Sequence, residues 1–429
     1  MWLNGLCGSM KISVLSDFHF GYGYNTELEE DSFTNADEAM QQALNAKTDL
    51  IIIAGDIFDS RYPKTPVWSK AIRTLVKPLM AENRGIEFVS CTKKLKRVSK
   101  RTLERTPVVA LHGNHERRGK STNTLEALEN AGLLVHLHCD TIVFEKDRTR
   151  VAIHGMSWVP DRYAKQYLDE WNPKPLTDCV NILVLHQSIS PFLYSPLEKP
   201  SIDVQGLPRG FDIIIDGHLH NAGAENVRGT PLIFPGSTVI TQFDKTEAEG
   251  EKGFYEIEID EDLASENNIK FNFRPIENRR RFFFEDVYTT GGLHTNVERK
   301  LNEMLMREFR KMPLIKLKII GKESEYSEQD IKQIERKYGH QAILRFVRDL
   351  ESPEIMEKVE FLRNLRYQKL SAEEIGLNLL YKNLEELNFK SSFDVDGIFS
   401  LLVDGSVDNA FNIVTGSQKT LASFSNAES

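Results

Sequence analysis

Five aliphatic runs in this chain each end in a short polar motif, and that pattern limits what the chain can fold into more than any other feature. Ile12–Leu15 leads into DFHFG, which contains Asp17 and His19. Leu50–Ala54 runs into GDIFD with Asp56, and Val108–Leu111 into GNHE with Asn114 and His115. Ile182–Leu185 closes on LHQ with His186, and Ile213–Asp216 on GHLH with His218 and His220. An unbroken aliphatic run is the pattern of a strand buried on both faces, as parallel strands are. Polar residues just past the C-terminal ends of such strands stand where open α/β sheets place their sites. Five strand ends thus deliver imidazoles, carboxylates and one amide to a single rim. Manganese, iron and zinc take that mixed nitrogen and oxygen set. Two ions sharing one carboxylate are the simplest arrangement.

The motif order D-x-H, GD-x-x-D, GNH-E, a lone His and GH-x-H, spanning Asp17 to His220, resembles the calcineurin-like metallophosphoesterases. GDIFD or GHLH alone would be a weak signal, whereas the ordered set is very specific. The resemblance implies an α/β (α+β) fold in which a two-sheet sandwich is flanked by helices. It assigns Asp17, His19 and His220 to one ion, Asn114, His186 and His218 to the other, and Asp56 to both. Two adjacent ions activate a shared water and hold the attacked phosphate in line. His115 has no ligand duty in this scheme; its place beside Asn114 suits protonation of the leaving 3′-oxygen or stabilisation of charge on the phosphate. Ligand imidazoles must be neutral and carboxylates ionised, so metal affinity is expected to fall at acid pH. The general phosphoesterase pattern allows Asp at Asp59, which is carried over only as a residue supporting the ligands.

Other histidines read as ordinary core or surface residues: His112, His136, His138, His294 and His340. His154 ends the predicted strand Val151–Ile153 and is a candidate for the edge of the site. The four cysteines (Cys7, Cys91, Cys139, Cys179) form no C-x-x-C pair, which suggests a reducing compartment. The first nine residues lack the basic start and apolar stretch of a signal peptide. Met10 is a candidate start, and no apolar run is long enough to span a bilayer. An intracellular location, cytoplasmic or nucleoid-associated, is expected.

At 429 residues the chain exceeds one typical domain. The reading is an extension over 1–9, a metallophosphoesterase domain over 10–275, a small α/β cap over 276–350, a linker over 351–370, a helical segment over 371–415 and a polar tail over 416–429, expected to be disordered. In the cap, Thr295–Glu298 is a capping box opening a helix, Leu314–Ile320 and Ala342–Val347 alternate as strands, and Ser327–Asp330 starts a second helix. In the helical segment, Ser371 and Glu374 cap a helix with Ile375, Leu379, Leu380, Leu384 and Leu387 on one face. Asp394 caps another with Val395, Ile398, Phe399 and Leu402. Two short amphipathic helices have little to bury against except each other, the main body or a partner.

Net charge is −9, with Lys+Arg 54 and Asp+Glu 63, which alone does not mark a nucleic-acid binder. Residues 276–350 nevertheless hold 16 Lys/Arg and 12 Asp/Glu. A second basic run, Lys93, Lys94, Lys96, Arg97, Lys100, Arg101 and Arg105, reads first as a solvated helix face and second as a contact to phosphates.

The whole layout resembles the double-strand-break repair nucleases of the SbcD type in their archaeal–eukaryal form, most strongly up to PGST (Pro235–Thr238) and weakly beyond about Asp260. That resemblance implies two manganese ions per chain (magnesium or another divalent ion as substitute) and a homodimer binding DNA ends and single strands. It also implies 3′-to-5′ exonuclease and single-strand endonuclease activities and an SMC-like coiled-coil ATPase docked on 371–415. The alternatives are a phosphomonoesterase or cyclic-nucleotide phosphodiesterase on the same chemistry, and a DNA-end tether in which catalysis is secondary.

Overall fold

A computed structural model of the chain describes residues 9–94, 98–116, 123–193, 198–260, 269–351, 376–377, 380–381, 383–384, 394–403 and 406–414. The expected cap at Ser371 and Glu374, the apolar positions Ile375, Leu379 and Leu387, the basic residues Lys96 and Arg97, and the tail lie outside these residues. Contacts divide the chain into two compact units, Met1–Ile319 with Ser327–Arg348, and Ile320–Tyr326 with Asp349–Ser429.

In chain order the first unit begins β1 (Ser9–Leu15), α1 (Glu29–Asn45), β2 (Leu50–Ile53), α2 (Thr65–Leu75), α3 (Lys77–Met80), β3 (Glu87–Cys91), α4 (Lys100–Leu103), β4 (Val108–Ala110) and α5 (Thr124–Asn130). It continues with β5 (Val135–His136), β6 (Asp140–Lys146), β7 (Thr149–Met156), α6 (Asp161–Trp171), β8 (Val180–Leu185), β9 (Ile189–Ser190), β10 (Ile202–Asp203), β11 (Ile213–Asp216), β12 (Gly223–Val227) and β13 (Thr230–Phe234). Then come α7 (Lys245–Glu249), β14 (Gly253–Asp260), β15 (Ile269–Pro275), β16 (Phe282–Tyr288), α8 (Leu293–Leu305), β17 (Leu314–Lys322), α9 (Glu328–Tyr338) and β18 (Ile343–Glu351), the last elements crossing into the second unit.

Two sheets face each other. One has the order β15-β14-β1-β2-β4-β5, the other β12-β13-β11-β8-β7-β6-β3. The strands β1, β2 and β4 run parallel, with Val14 opposite Ile52 and Ile52 opposite Val109. In the second sheet β7, β8 and β11 are parallel too. Ile12, Val14, Ile52 and Val109 of the first sheet meet Ile153, Ile182, Val184 and Ile215 of the second in one buried core. The outer face of the first sheet carries Leu15, Ile51 and Ile53, covered by Ala36, Met40, Ala71, Leu75 and Leu128 from α1, α2 and α5. Small residues at Ala36, Ala39 and Ala43 share one helical face and let α1 approach the sheet closely. Leu183, Leu185 and Ile214 on the second sheet's outer face meet Ala164 and Leu168 of α6. Both faces of the central strands are therefore buried, as their unbroken aliphatic runs require.

A third sheet, β16-β17-β18, carries α8 and α9. Ser327 caps α9 by accepting the Asp330 amide at 3.4 Å. The predicted capping box at Thr295–Glu298 does not form: α8 starts two residues earlier, at Leu293. The adjacent glycines Gly291 and Gly292, at φ 81° and 99°, turn the chain in ahead of Thr295. Asn296 then donates to the Tyr288 and Thr290 carbonyls, each at 2.9 Å, and fixes that entry. The second unit contains the short helices 395–403 and 407–414, with Gly397 N donating to Asp394 Oδ1.

Candidate metal centre

The ends of β1, β2, β4, β8 and β11 lie on one rim of the facing sheets, and all five motifs meet there. His19 Nε2 is 3.1 Å from His220 Nε2, and the two imidazoles stand 3.8 and 3.7 Å from Asp17 Oδ1. Asp56 Oδ2 is 3.5 Å from His186 Nε2, 3.9 Å from His19 Nε2 and 4.0 Å from His115 Nε2. Asn114 Oδ1 lies 3.2 Å from His186 Nε2. Among the described residues, donor atoms converge in three groups: Asp17, His19 and His220; Asp17, Asp56 and His186; and His19, Asp56 and His115. Asp56 belongs to two of them. His218 stands outside all three; its Nε2 is held 2.7 Å from Glu198 Oε1, and its ring lies 5.6 Å from that of His186.

Both oxygens of Asp17 are buried and without a hydrogen-bond partner. A carboxylate left so carries its full desolvation cost, and native interiors tolerate few such groups. Two imidazole nitrogens and this orphaned carboxylate, aimed at one point, suit a divalent cation. The donor set therefore fits the metal that the motif order implies.

Local backbone geometry aims these side chains. Asp17, His19, Asp56 and His218 all have φ between 46° and 56°. Non-glycine residues rarely sit there, Asp and His more readily than most, and the strain persists only where surrounding contacts enforce it. The glycines of the motifs leave room for the neighbouring ligand. A Cβ on Gly113 would stand 2.1 Å from Asp56 Oδ1, and one on Gly55 2.1 Å from His186 Nδ1. Gly113→Ala is expected to displace Asp56 and weaken divalent-metal binding by about ten- to a hundredfold, as loss of ligand support does in metal sites. Calorimetric titration with manganese, alongside a melting curve showing that the fold persists, checks this.

Charge in the site is organised around Asp56. Burial would raise its pKa, but the adjacent His186, with His19 and His115, drives it well below the usual carboxylate range. Burial disfavours a charged His186 as well, yet Asp56 and Asp17 overcome it and lift His186 to about 10. His220 moves far the other way, because burial, His19 and Lys252 all disfavour its cation. In the metal-free site His186 is thus protonated at neutral pH and His220 is neutral. An ion binding His186 must release its proton, so apparent metal affinity is expected to rise with pH, roughly tenfold per unit below the His186 pKa for each proton released. Manganese titrations at pH 6, 7 and 8 in buffers of different ionisation enthalpy test both the slope and the proton release.

The calcineurin-like phosphoesterase family matches residues 10–222, from the start of β1 to just past GHLH. The match takes in 213 of the chain's 429 residues. Over 56% to 76% of its length the chain is also similar to repair proteins. It is 24% identical over 347 residues to a Methanopyrus kandleri protein named DNA double-strand break repair protein Mre11, covering 76% of this chain and 67% of that one. It is 27% identical over 271 residues to the double-strand break repair protein mus-23 of Neurospora crassa (56% and 36% covered). With the double-strand break repair protein MRE11 of Mus musculus the identity is 24% over 314 residues (65% and 43% covered). The chain spans 36% to 67% of the length of these three relatives. Among the described residues no helix is long and apolar enough to cross a membrane.

Glu116 and Glu198, both between residues 10 and 222, went unrecognised at the level of sequence. Glu116 clamps two ligand loops, accepting the Phe58 amide at 2.5 Å and the Gly113 amide at 2.9 Å. Burial and the Asp56 charge push its carboxyl up to about 8, while the Phe58 and Gly113 amides favour its charged form. The GNHE motif displays this residue but not its inward direction. Glu198 behind His218 has no signal in the sequence. Asp59 faces two histidines: Oδ1 lies 3.3 Å from His19 Nδ1, and its carbonyl is 2.7 Å from His115 Nδ1.

His154 does not reach the site. β7 continues to Met156, and the two ring nitrogens of His154 are taken by Thr141 at 3.0 Å and Asn181 at 3.1 Å. His112 and His136 are buried and bonded to each other at 2.9 Å, while His294 pairs with Glu298 on α8. In the basic run, Lys93 is bound to the Glu129 carboxylate and the His136 carbonyl, each at 2.7 Å, which makes it an internal strut.

Proposed function

We propose that this chain is a metal-dependent DNA nuclease of double-strand-break repair, cleaving phosphodiester bonds at the β1–β2–β4–β8–β11 rim. The observation that carries the reading is the convergence of His19, Asp56, His186 and His220 around the orphaned Asp17 carboxylate, with His115 beside them, in a chain similar to a named break-repair protein over 76% of its length. Asp17, His19 and His220 would hold one ion, Asn114, His186 and His218 the other, with Asp56 shared; manganese is the proposed metal. Bound there, two divalent ions supply Lewis-acid charge on the phosphate and an activated water. His115 performs the proton step. Its Nδ1–H donates to the Asp59 carbonyl at 2.7 Å and its ring packs edge-on against His19, which turns Nε2 toward the site. A proton on Nε2 can pass to the leaving 3′-oxygen as the phosphorus–oxygen bond breaks.

The proposed activities are 3′-to-5′ exonuclease on duplex ends and endonuclease on single strands, within the cell and as a homodimer. Support for self-association comes from Tyr62, Ile72 and Met80, large apolar side chains left exposed near α2 and α3. The α/β elements between 276 and 350 are proposed to orient DNA. Arg279, Arg281, Arg307, Arg310 and Lys311 line one cavity there with Phe283 and Phe309, a cation and aromatic set suited to a nucleic-acid strand. The segment 371–415 is proposed to dock on an SMC-like coiled-coil ATPase. Leu402, Val407 and Phe411 are exposed, whereas Leu380, Leu384 and Phe399 are half-buried within their unit. Truncation after Leu370 is expected to leave manganese-dependent nuclease activity intact and to abolish co-purification with the ATPase; retained co-purification would place the docking surface elsewhere.

Parallel assays with linear duplex, single-stranded circles, p-nitrophenyl esters and cyclic dinucleotides in manganese decide the substrate class. DNA cleavage is the expected result. Efficient turnover of a cyclic nucleotide or monoester with none on DNA would replace this reading by a small-substrate phosphoesterase.

A further inference from the structure

His220 is held from behind by a buried ion pair. Lys252 and Glu247 are each 1% exposed and stand 2.7 Å apart. Lys252 Nζ also donates to the His220 carbonyl at 2.9 Å and to Ser237 Oγ at 2.8 Å. Glu247 Oε2 accepts three successive amides, from Thr241 at 2.9 Å, Gln242 at 2.6 Å and Phe243 at 3.3 Å. Two buried charges are costly unless their donors and acceptors are used, and apolar replacements would often serve stability as well. Here Lys252 has three acceptors and Glu247 four donors, so the pair specifies a geometry. What it specifies is the 241–243 loop.

The first residue of that loop meets the histidine. Thr241 Oγ1 lies 2.6 Å from His220 Nδ1, and the Thr241 carbonyl accepts the Tyr22 hydroxyl at 2.8 Å from the other side. We propose that Thr241 is a positioning residue of the metal centre: it accepts the Nδ1–H of His220 and thereby fixes the tautomer whose Nε2 lone pair faces Asp17 and His19. The hydrogen bond at one ring nitrogen decides which nitrogen can bind a metal. The Glu247–Lys252 pair, by anchoring the loop and the His220 carbonyl together, sets the orientation of the ring. This inference rests on the reading of His220 as a metal ligand.

Full-length protein labelled with 15N at histidine gives the test. The His220 signals, identified by their loss in His220→Ala, should report the Nδ1–H tautomer in metal-free wild type. Thr241→Val keeps the shape and removes the acceptor. It should disturb that tautomer and weaken manganese binding by about ten- to a hundredfold in calorimetry. Thr241→Ser should restore both, and melting curves on each variant separate positioning from folding. If Thr241→Val fails to fold, Thr241→Ala carries the same expectation. An Nε2–H tautomer in the wild type, or unchanged tautomer and affinity in Thr241→Val while His220→Ala loses metal, overturns the Thr241 assignment alone. Manganese bound by His220→Ala with wild-type affinity overturns instead the reading of His220 as a ligand.

Discussion

Asp56→Asn is expected to abolish DNA cleavage and to leave at most one weakly held divalent ion per chain. The Asp56 carboxylate stands within 4.0 Å of the Nε2 atoms of His186, His19 and His115 together. Its other oxygen accepts the His115 amide at 3.0 Å, which fixes the carboxylate against the GNHE turn. Burial works against its charge, but the surrounding imidazoles keep it ionised. An amide of the same shape preserves packing while removing the negative charge that two cations would share. Metal content after equilibration with manganese, measured beside the cleavage rate, checks both halves of the expectation. A variant with wild-type activity would sink the shared-carboxylate arrangement.

His115→Ala should give a different pattern: turnover lower by on the order of 10²–10⁴-fold, with the metal complement intact. The side chain is about one-third exposed, unlike the fully buried Asp17 and His186, and its Nδ1 is committed to the Asp59 carbonyl. That leaves Nε2 to face an incoming phosphate. Because His115 also groups with His19 and Asp56, metal content is the measurement that separates a proton donor from a ligand. Two ions with negligible turnover support the proton-donor role. Loss of one ion would make His115 a ligand.

The fold was legible wherever local pattern and tertiary burial agree. Ile12–Leu15, Leu50–Ala54 and Ile213–Asp216 read as strands because both faces of each are covered, so no polar residue interrupts them. The polar residues that follow are forced to the rim, which is why Asp17, Asp56, His186 and His220 could be placed together from sequence. Less was legible where distant chain segments decide. α8 begins at Leu293 because of two glycines and Asn296, not because of the Thr295–Glu298 pattern. β7 runs through His154 because Asn181 and Thr141 satisfy a ring that a strand interior would otherwise exclude.

The support behind the rim was hidden for the same reason. Glu247 lies in α7 and Lys252 just before β14, where charged residues normally face water; Ser237, the His220 carbonyl and the 241–243 amides, brought in from other loops, turn them inward. Glu198 reads as one more surface acid until His218 stands beside it.

Anomalous diffraction from crystals grown or soaked in manganese is the most direct measurement of the central claim, that this rim is a dinuclear metal centre. Two peaks per chain are predicted, one ringed by Asp17, His19 and His220, the other by Asn114, His186 and His218, with Asp56 touching both. A single peak, or two peaks neither of which contacts Asp56, would contradict it.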